Sequence, residues 1–88
     1  MRILWYEQAW EDYLYWQRND PGILERVNSL VKDIGRSPFR GIGKPEPLKA
    51  ALSGWWSRRI TDEHRFVYRV TGRAATQVLE VLQCRYHY

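Results

Sequence analysis

The sequence predicts an α+β domain in which a short N-terminal strand and a two-helix hairpin pack on one face of a twisted antiparallel sheet. Three observations carry that expectation. Apolar residues recur at helical spacing through the first part of the chain and later switch to alternation. A stretch dense in Gly and Pro, Gly35 to Pro47, separates the two patterns. The links between the later apolar runs are short, so successive strands should turn back on one another as a meander. With 88 residues, 44% of them apolar, the chain holds one domain, 1–88, with a modest core.

Met1 to Tyr6 reads as the first strand, centred on Ile3 and Leu4. Glu7 to Asn19 reads as a helix, because Trp10, Tyr13, Leu14 and Gln17 recur at helical spacing and acidic residues fill its early turns. Asp20-Pro21 is a helix start, with Asp as N-cap and Pro at the first helical position. Ile23, Val27, Leu30, Val31 and Ile34 form one apolar stripe, and Gly35 is the expected stop. So short a turn between helices implies a hairpin. Three strands follow the Gly/Pro loop, at about Trp55 to Ile60, Arg65 to Val70 and Thr76 to Tyr86, leaving the sheet face away from the helices open.

Fourteen Lys and Arg against ten Asp and Glu give a net charge of +4, which suits polyanions, although a solvated basic surface explains charge alone equally well. Five Trp, six Tyr and two Phe exceed what a small core needs and leave rings for stacking on bases or on a partner. The single cysteine, Cys84, excludes an internal disulfide, and its place in an apolar run marks it as a buried, inert thiol. No apolar stretch is long enough to span a membrane and no signal peptide is visible, so a cytoplasmic protein is expected. Two His and one Cys, scattered along the chain, make no metal site, and no cofactor is expected.

Several residues on the open face and its rim could carry chemistry. In Lys44-Pro45-Glu46-Pro47-Leu48-Lys49, the prolines restrict the backbone around one carboxylate, and two lysines favour its ionised form. A fixed, ionised carboxylate suits a general base, although an isolated segment of this kind is more simply a solvated loop. Arg58, Arg59, Arg65 and Arg69 lie on adjacent strands. Arg59 shares a face with Arg65 only if the turn between them has an odd number of residues or a bulge resets the register. On one face the pair would clamp a phosphate; otherwise they are ordinary exposed-strand arginines. The chain ends Arg85-Tyr86-His87-Tyr88, where His87 could donate a proton and Tyr88 could stack on a base or bond a phosphate oxygen. With nothing after it to anchor it, this end is expected to be easily displaced. His64 reads as a solvated turn histidine without a role.

Four ordered segments, KPEPLK, LSGWWSRRI, EHRFVY and the terminal RYHY, together with Trp10 to Gln17 in the first helix, resemble the YoeB-type toxins of the RelE superfamily over nearly the whole chain. The resemblance implies a compact, microbial-ribonuclease-like fold. It implies cleavage of mRNA in the ribosomal A site, leaving a 2′,3′-cyclic phosphate and a 5′-OH, and neutralisation by a cognate YefM-like antitoxin, expected to be acidic. At the matching positions, Glu46 would be general base and His87 general acid. Arg65 would be the main phosphate stabiliser, assisted by Arg59 and Lys49, and Tyr88 would position the substrate. Trp55 and Phe66 are bulkier than the family pattern, and the hairpin around Gly72 to Gln77 is longer. A non-catalytic gyrase poison of the ParE kind and a silent RNA-binding module are the alternatives on the same scaffold. Whether the free chain is a homodimer stays open.

Overall fold

Asp20 ends one helix and starts the next. In the computed structural model, which describes residues 1–88, α1 spans Glu7–Asn19 and α2 spans Pro21–Arg36. The Asp20 backbone N–H donates to the Trp16 carbonyl, and its side chain accepts from the Ile23 N–H at 3.2 Å. One residue therefore closes the last turn of α1 and caps the first turn of α2. The hairpin forms as expected, with Tyr13 Oη bonded to Asn28 Oδ1 across it at 2.8 Å.

The α2 stripe is borne out, with Val27, Leu30 and Ile34 buried and Ile23 and Val31 packed against them. The helix does not stop at Gly35. It continues to Arg36, and extended Ser37 ends it by donating to Asp33 O. The inward face of α1 also differs from expectation: Ala9, Asp12 and Trp16 are buried, whereas Trp10 and Gln17 are exposed. Backbone partners decide this. Asp12 Oδ2 accepts the Cys84 N–H at 3.0 Å, and Trp16 Nε1 donates to Cys84 O at 2.8 Å. These bonds rotate α1 about the start of the tail, and Trp10 stacks on Tyr13 instead.

The strands are β1 (Arg2–Trp5), β2 (Glu46–Pro47), β3 (Trp56–Arg59), β4 (Arg65–Thr71) and β5 (Val78–Gln83). They form one sheet in the order β1-β5-β4-β3-β2. β1 runs parallel to β5, and every other pair is antiparallel. The α+β expectation therefore holds, with a parallel edge strand supplied by the crossover through the helices. The last strand is shorter than the expected Thr76 to Tyr86. A 3₁₀ turn, Ala74–Thr76, occupies its start, and the chain leaves the ladder after Gln83. Gly72 makes that longer hairpin possible: its φ is +81°, and a Cβ there would sit 2.5 Å from Thr76 O.

The core lies between the helices and β4–β5, where Phe66, Tyr68, Leu79 and Val81 meet Ala9, Trp16, Val27, Leu30 and Ile34. Phe66 is fully buried there beside Tyr68, so its bulk fills the core. Cys84 is buried too, and desolvation pushes its thiol pKa far up, which agrees with an inert thiol. No helix is long and apolar enough to cross a membrane.

Candidate active site

Alternation along β3 sends its adjacent arginines to opposite faces. Arg58 goes inward and is fully buried. It donates to Asp33 Oδ2 at 2.6 Å, to the carbonyls of Ser37, Arg40 and Ile42, and to Tyr68 Oη. The guanidinium thus binds the chain between α2 and β2 to the sheet. Arg59 points the other way and is directly opposite Arg65 on β4. Directly opposed residues of an antiparallel pair project to the same side, so the two arginines share one face.

Arg65 is only 8% exposed, yet no carboxylate meets it. Its Nη1 donates to the carbonyls of Thr61, Asp62 and His64 at 2.8, 3.1 and 3.2 Å. Those bonds fix the plane of the guanidinium, while Nε and Nη2 make no hydrogen bond within the chain.

Glu46 lies in β2 at the edge of the sheet, not in a loop. It pairs with Ser57, and the pairing continues beyond the strand through Arg59 N–H to Gly43 O and Leu48 N–H to Trp55 O. Pro45 and Pro47 are tolerated because an edge strand needs only one side of its backbone for the ladder. A cross-strand row therefore runs Glu46, Ser57, Val67, Gln83 on the same face as Arg59 and Arg65. The Glu46 carboxylate is exposed and unpaired; neither Lys44 nor Lys49 forms an ion pair with it. Lys49 is exposed, next to the short 3₁₀ turn Ala50–Leu52 that follows β2.

This face is less open than expected, because the C-terminal tail folds across it. Ser57 and Val67 are 1% and 0% exposed although they point away from the helices. Nor is the tail loose. Cys84 is tied to Asp12 and Trp16, and the Arg85 guanidinium lies 3.4 Å from the Tyr15 ring centroid. At Tyr86, His64 Nδ1 accepts the backbone N–H at 2.7 Å and Arg65 N–H donates to the carbonyl at 3.0 Å. Only His87 and Tyr88 extend past these anchors. Tyr88 Oη comes within 3.3 Å of Ser57 Oγ, and the exposed His87 ring lies beside that of Tyr88. The expectation of a readily displaced Arg85–Tyr88 tail is therefore corrected to its last two residues.

Arg69, on the same face, is already engaged. It pairs with Glu80 at 3.0 Å and lies over the Trp55 ring at 4.3 Å, and Tyr6 and Thr71 also bond Glu80. The bulk of Trp55 serves that stack. Burial alone would raise the Glu80 pKa, but the hydrogen bonds from Arg69, Thr71 and Tyr6 outweigh it and hold the carboxyl low.

Two further residues lie beside the site. Ser57 stands two residues before Arg59, so alternation alone would have placed it on the same face. His64, expected to be a solvated turn histidine, has instead a half-buried ring, edge-on to Trp16 at 4.7 Å.

Comparison with known proteins agrees in sequence and in fold. Residues 5–88 match the family described as YoeB-like toxin of bacterial type II toxin-antitoxin system. Toxin YoeB of Escherichia coli K12 is 56% identical over 88 residues, covering all of both chains. A structure described as a YoeB/ParE toxin from Agrobacterium tumefaciens superposes with a TM-score of 0.98 at 55% identity, again over all of both chains. The toxin in a heterotetrameric YoeB–YefM toxin–antitoxin complex from Staphylococcus aureus gives a TM-score of 0.89 at 44% identity, covering 100% of this chain and 98% of that one.

Proposed function

The chain belongs to the YoeB-like toxins of bacterial type II toxin–antitoxin systems, and from that premise we propose that it is a metal-independent endoribonuclease that cleaves mRNA in the ribosomal A site. One observation supports this reading above the others: Glu46, Arg59 and Arg65 share one sheet face, and none of them is neutralised within the chain.

In the proposed reaction, Glu46 takes the proton from a ribose 2′-OH. The 2′ oxygen attacks the adjacent phosphorus, and negative charge builds on the phosphorane oxygens. Arg65 receives that charge through its unengaged nitrogens, with Arg59 and Lys49 assisting. As the bond from phosphorus to the 5′ oxygen breaks, His87 supplies the proton to the leaving oxygen. The products are a 2′,3′-cyclic phosphate and a 5′-OH. Tyr88, held near Ser57, positions the substrate. The partner proposed to restrain the activity is a YefM-like antitoxin, because the Staphylococcus aureus relative is described in complex with one. A basic surface of net charge +4 suits an acidic antitoxin segment as well as RNA.

The test is single-turnover cleavage on mRNA-programmed ribosomes with the 5′ ends mapped. Glu46→Ala and His87→Ala should each lose on the order of 100- to 10,000-fold in rate with ribosome binding retained. Wild-type rates in both variants would sink the assignment. Uncut mRNA together with broken DNA would favour the gyrase-poison alternative.

A further inference from the structure

We propose that His64 is a positioning residue for the terminal His87-Tyr88 pair, acting through the backbone of Tyr86; this rests on the ribonuclease reading above. Tyr86 has φ +64°, in the left-handed region that a tyrosine seldom adopts. Such a conformation persists only where its surroundings hold it. Two bonds do so. His64 Nδ1 accepts the Tyr86 N–H at 2.7 Å, and the N–H of the next residue, Arg65, donates to Tyr86 O at 3.0 Å. His64, immediately before β4, and Arg65, its first residue, thus grip both ends of one strained residue, and Arg65 carries the proposed phosphate-stabilising guanidinium.

The imidazole is itself held firmly. Its ring packs edge-on against buried Trp16 at 4.7 Å. The His64 backbone N–H bonds Thr61 Oγ1, and its carbonyl accepts from Ile60, Thr61 and Arg65 Nη1. To accept from Tyr86, the ring must be neutral with its proton on Nε2. The chain bends at left-handed Tyr86, and beyond it Tyr88 Oη comes to Ser57 Oγ, on the cross-strand partner of Glu46. His64 therefore sets the direction of the proposed acid relative to the proposed base, although it touches neither the phosphate nor the base.

Two substitutions test this. His64→Phe keeps a ring of similar shape against Trp16 but removes the acceptor. His64→Asn gives up the ring and places an amide oxygen near the position of Nδ1. Three quantities are measured on the full chain: thermal melting, hydrogen exchange of the Tyr86 amide, and single-turnover cleavage on programmed ribosomes. His64→Phe is expected to stay folded, lose Tyr86 amide protection and fall in kcat on the order of 10- to 100-fold with KM little changed, as for a misaimed catalytic group. His64→Asn is expected to recover both protection and most of the rate. An unchanged kcat in His64→Phe would overturn the proposal. So would Tyr86 protection restored in His64→Asn without recovery of rate, because the imidazole would then be acting by chemistry of its own. The amide measurement does not depend on RNA cleavage, so an inactive wild-type chain would refute the ribonuclease reading, whereas a Tyr86 amide equally protected in His64→Phe would refute the clamp.

Discussion

Arg58 and Arg59 are neighbours in sequence and opposites in circumstance. Arg58 is fully buried and makes five hydrogen bonds, one of them to a carboxylate. Arg59 is exposed, and its cross-strand partner Arg65 keeps two of its three guanidinium nitrogens free of intramolecular bonds. The difference separates two uses of a cation. A guanidinium whose donors are saturated stabilises the ground-state fold and has nothing left for a charge that develops later. A guanidinium fixed by neutral carbonyls, with donors in reserve, is preorganised for such a charge. The same contrast runs along the face that carries Arg59, where Arg69 is neutralised by Glu80 and Arg65 has no carboxylate partner.

The largest effect should come from breaking the saturated side. Arg58→Met leaves Asp33, Tyr68 Oη and three carbonyls without their donor, so it should cost about 3 kcal/mol or more of unfolding free energy. Arg59→Met should stay within about 0.5 kcal/mol of wild type. Urea denaturation followed by circular dichroism measures both. Equal losses would erase the comparison.

Next is the preorganised side. Arg65→Ala should slow the chemical step on the order of 100- to 1,000-fold while weakening ribosome binding much less. Arg65→Lys should recover little, because an ammonium cannot both hold the turn carbonyls and present a planar pair of donors. Full rescue by Lys in single-turnover cleavage would show that charge alone suffices.

Acid should expose the saturated side selectively. The hydrogen bond from Arg58, then that from the Ile42 N–H, holds Asp33 below its ordinary 3.8. Glu80 is likewise held below 4.5. Both native values are depressed, so the unfolded chain takes up protons first as the pH falls. The stability these groups supply is complete above about pH 5 and is lost as the pH drops through their unfolded and then their native values. Arg58→Met should lose less stability than wild type over that window, because the cause of the Asp33 shift is gone. Denaturation midpoints from pH 6 downward, compared between the two proteins, provide the check; parallel curves would deny Arg58 its part.

The smallest effect should be at Ser57. Ser57→Ala removes a single hydroxyl contact to Tyr88, worth about 1 kcal/mol, so cleavage should slow a few-fold with little change in melting. An effect as large as that of Arg65→Ala would mean that Ser57 takes part in the chemistry.

Local rules sufficed wherever the cause of a structure lay within a few residues. Asp20-Pro21 specified a helix start, and the spacing of Val27, Leu30 and Ile34 specified a buried stripe. The remainder depended on partners distant in the chain. Asp12 and Trp16 turn inward because Cys84, about seventy positions later, supplies a backbone N–H and a carbonyl. Glu46 became an edge strand because β3 offered it a ladder, and residues 84–86 are anchored because α1 and the β3–β4 turn meet there. His64 had no visible purpose beside its sequence neighbours, since the N–H it accepts is brought to it only by folding. Periodicity and capping are local energies and can be read along the chain; the satisfaction of buried polar groups is a global requirement that only tertiary structure resolves.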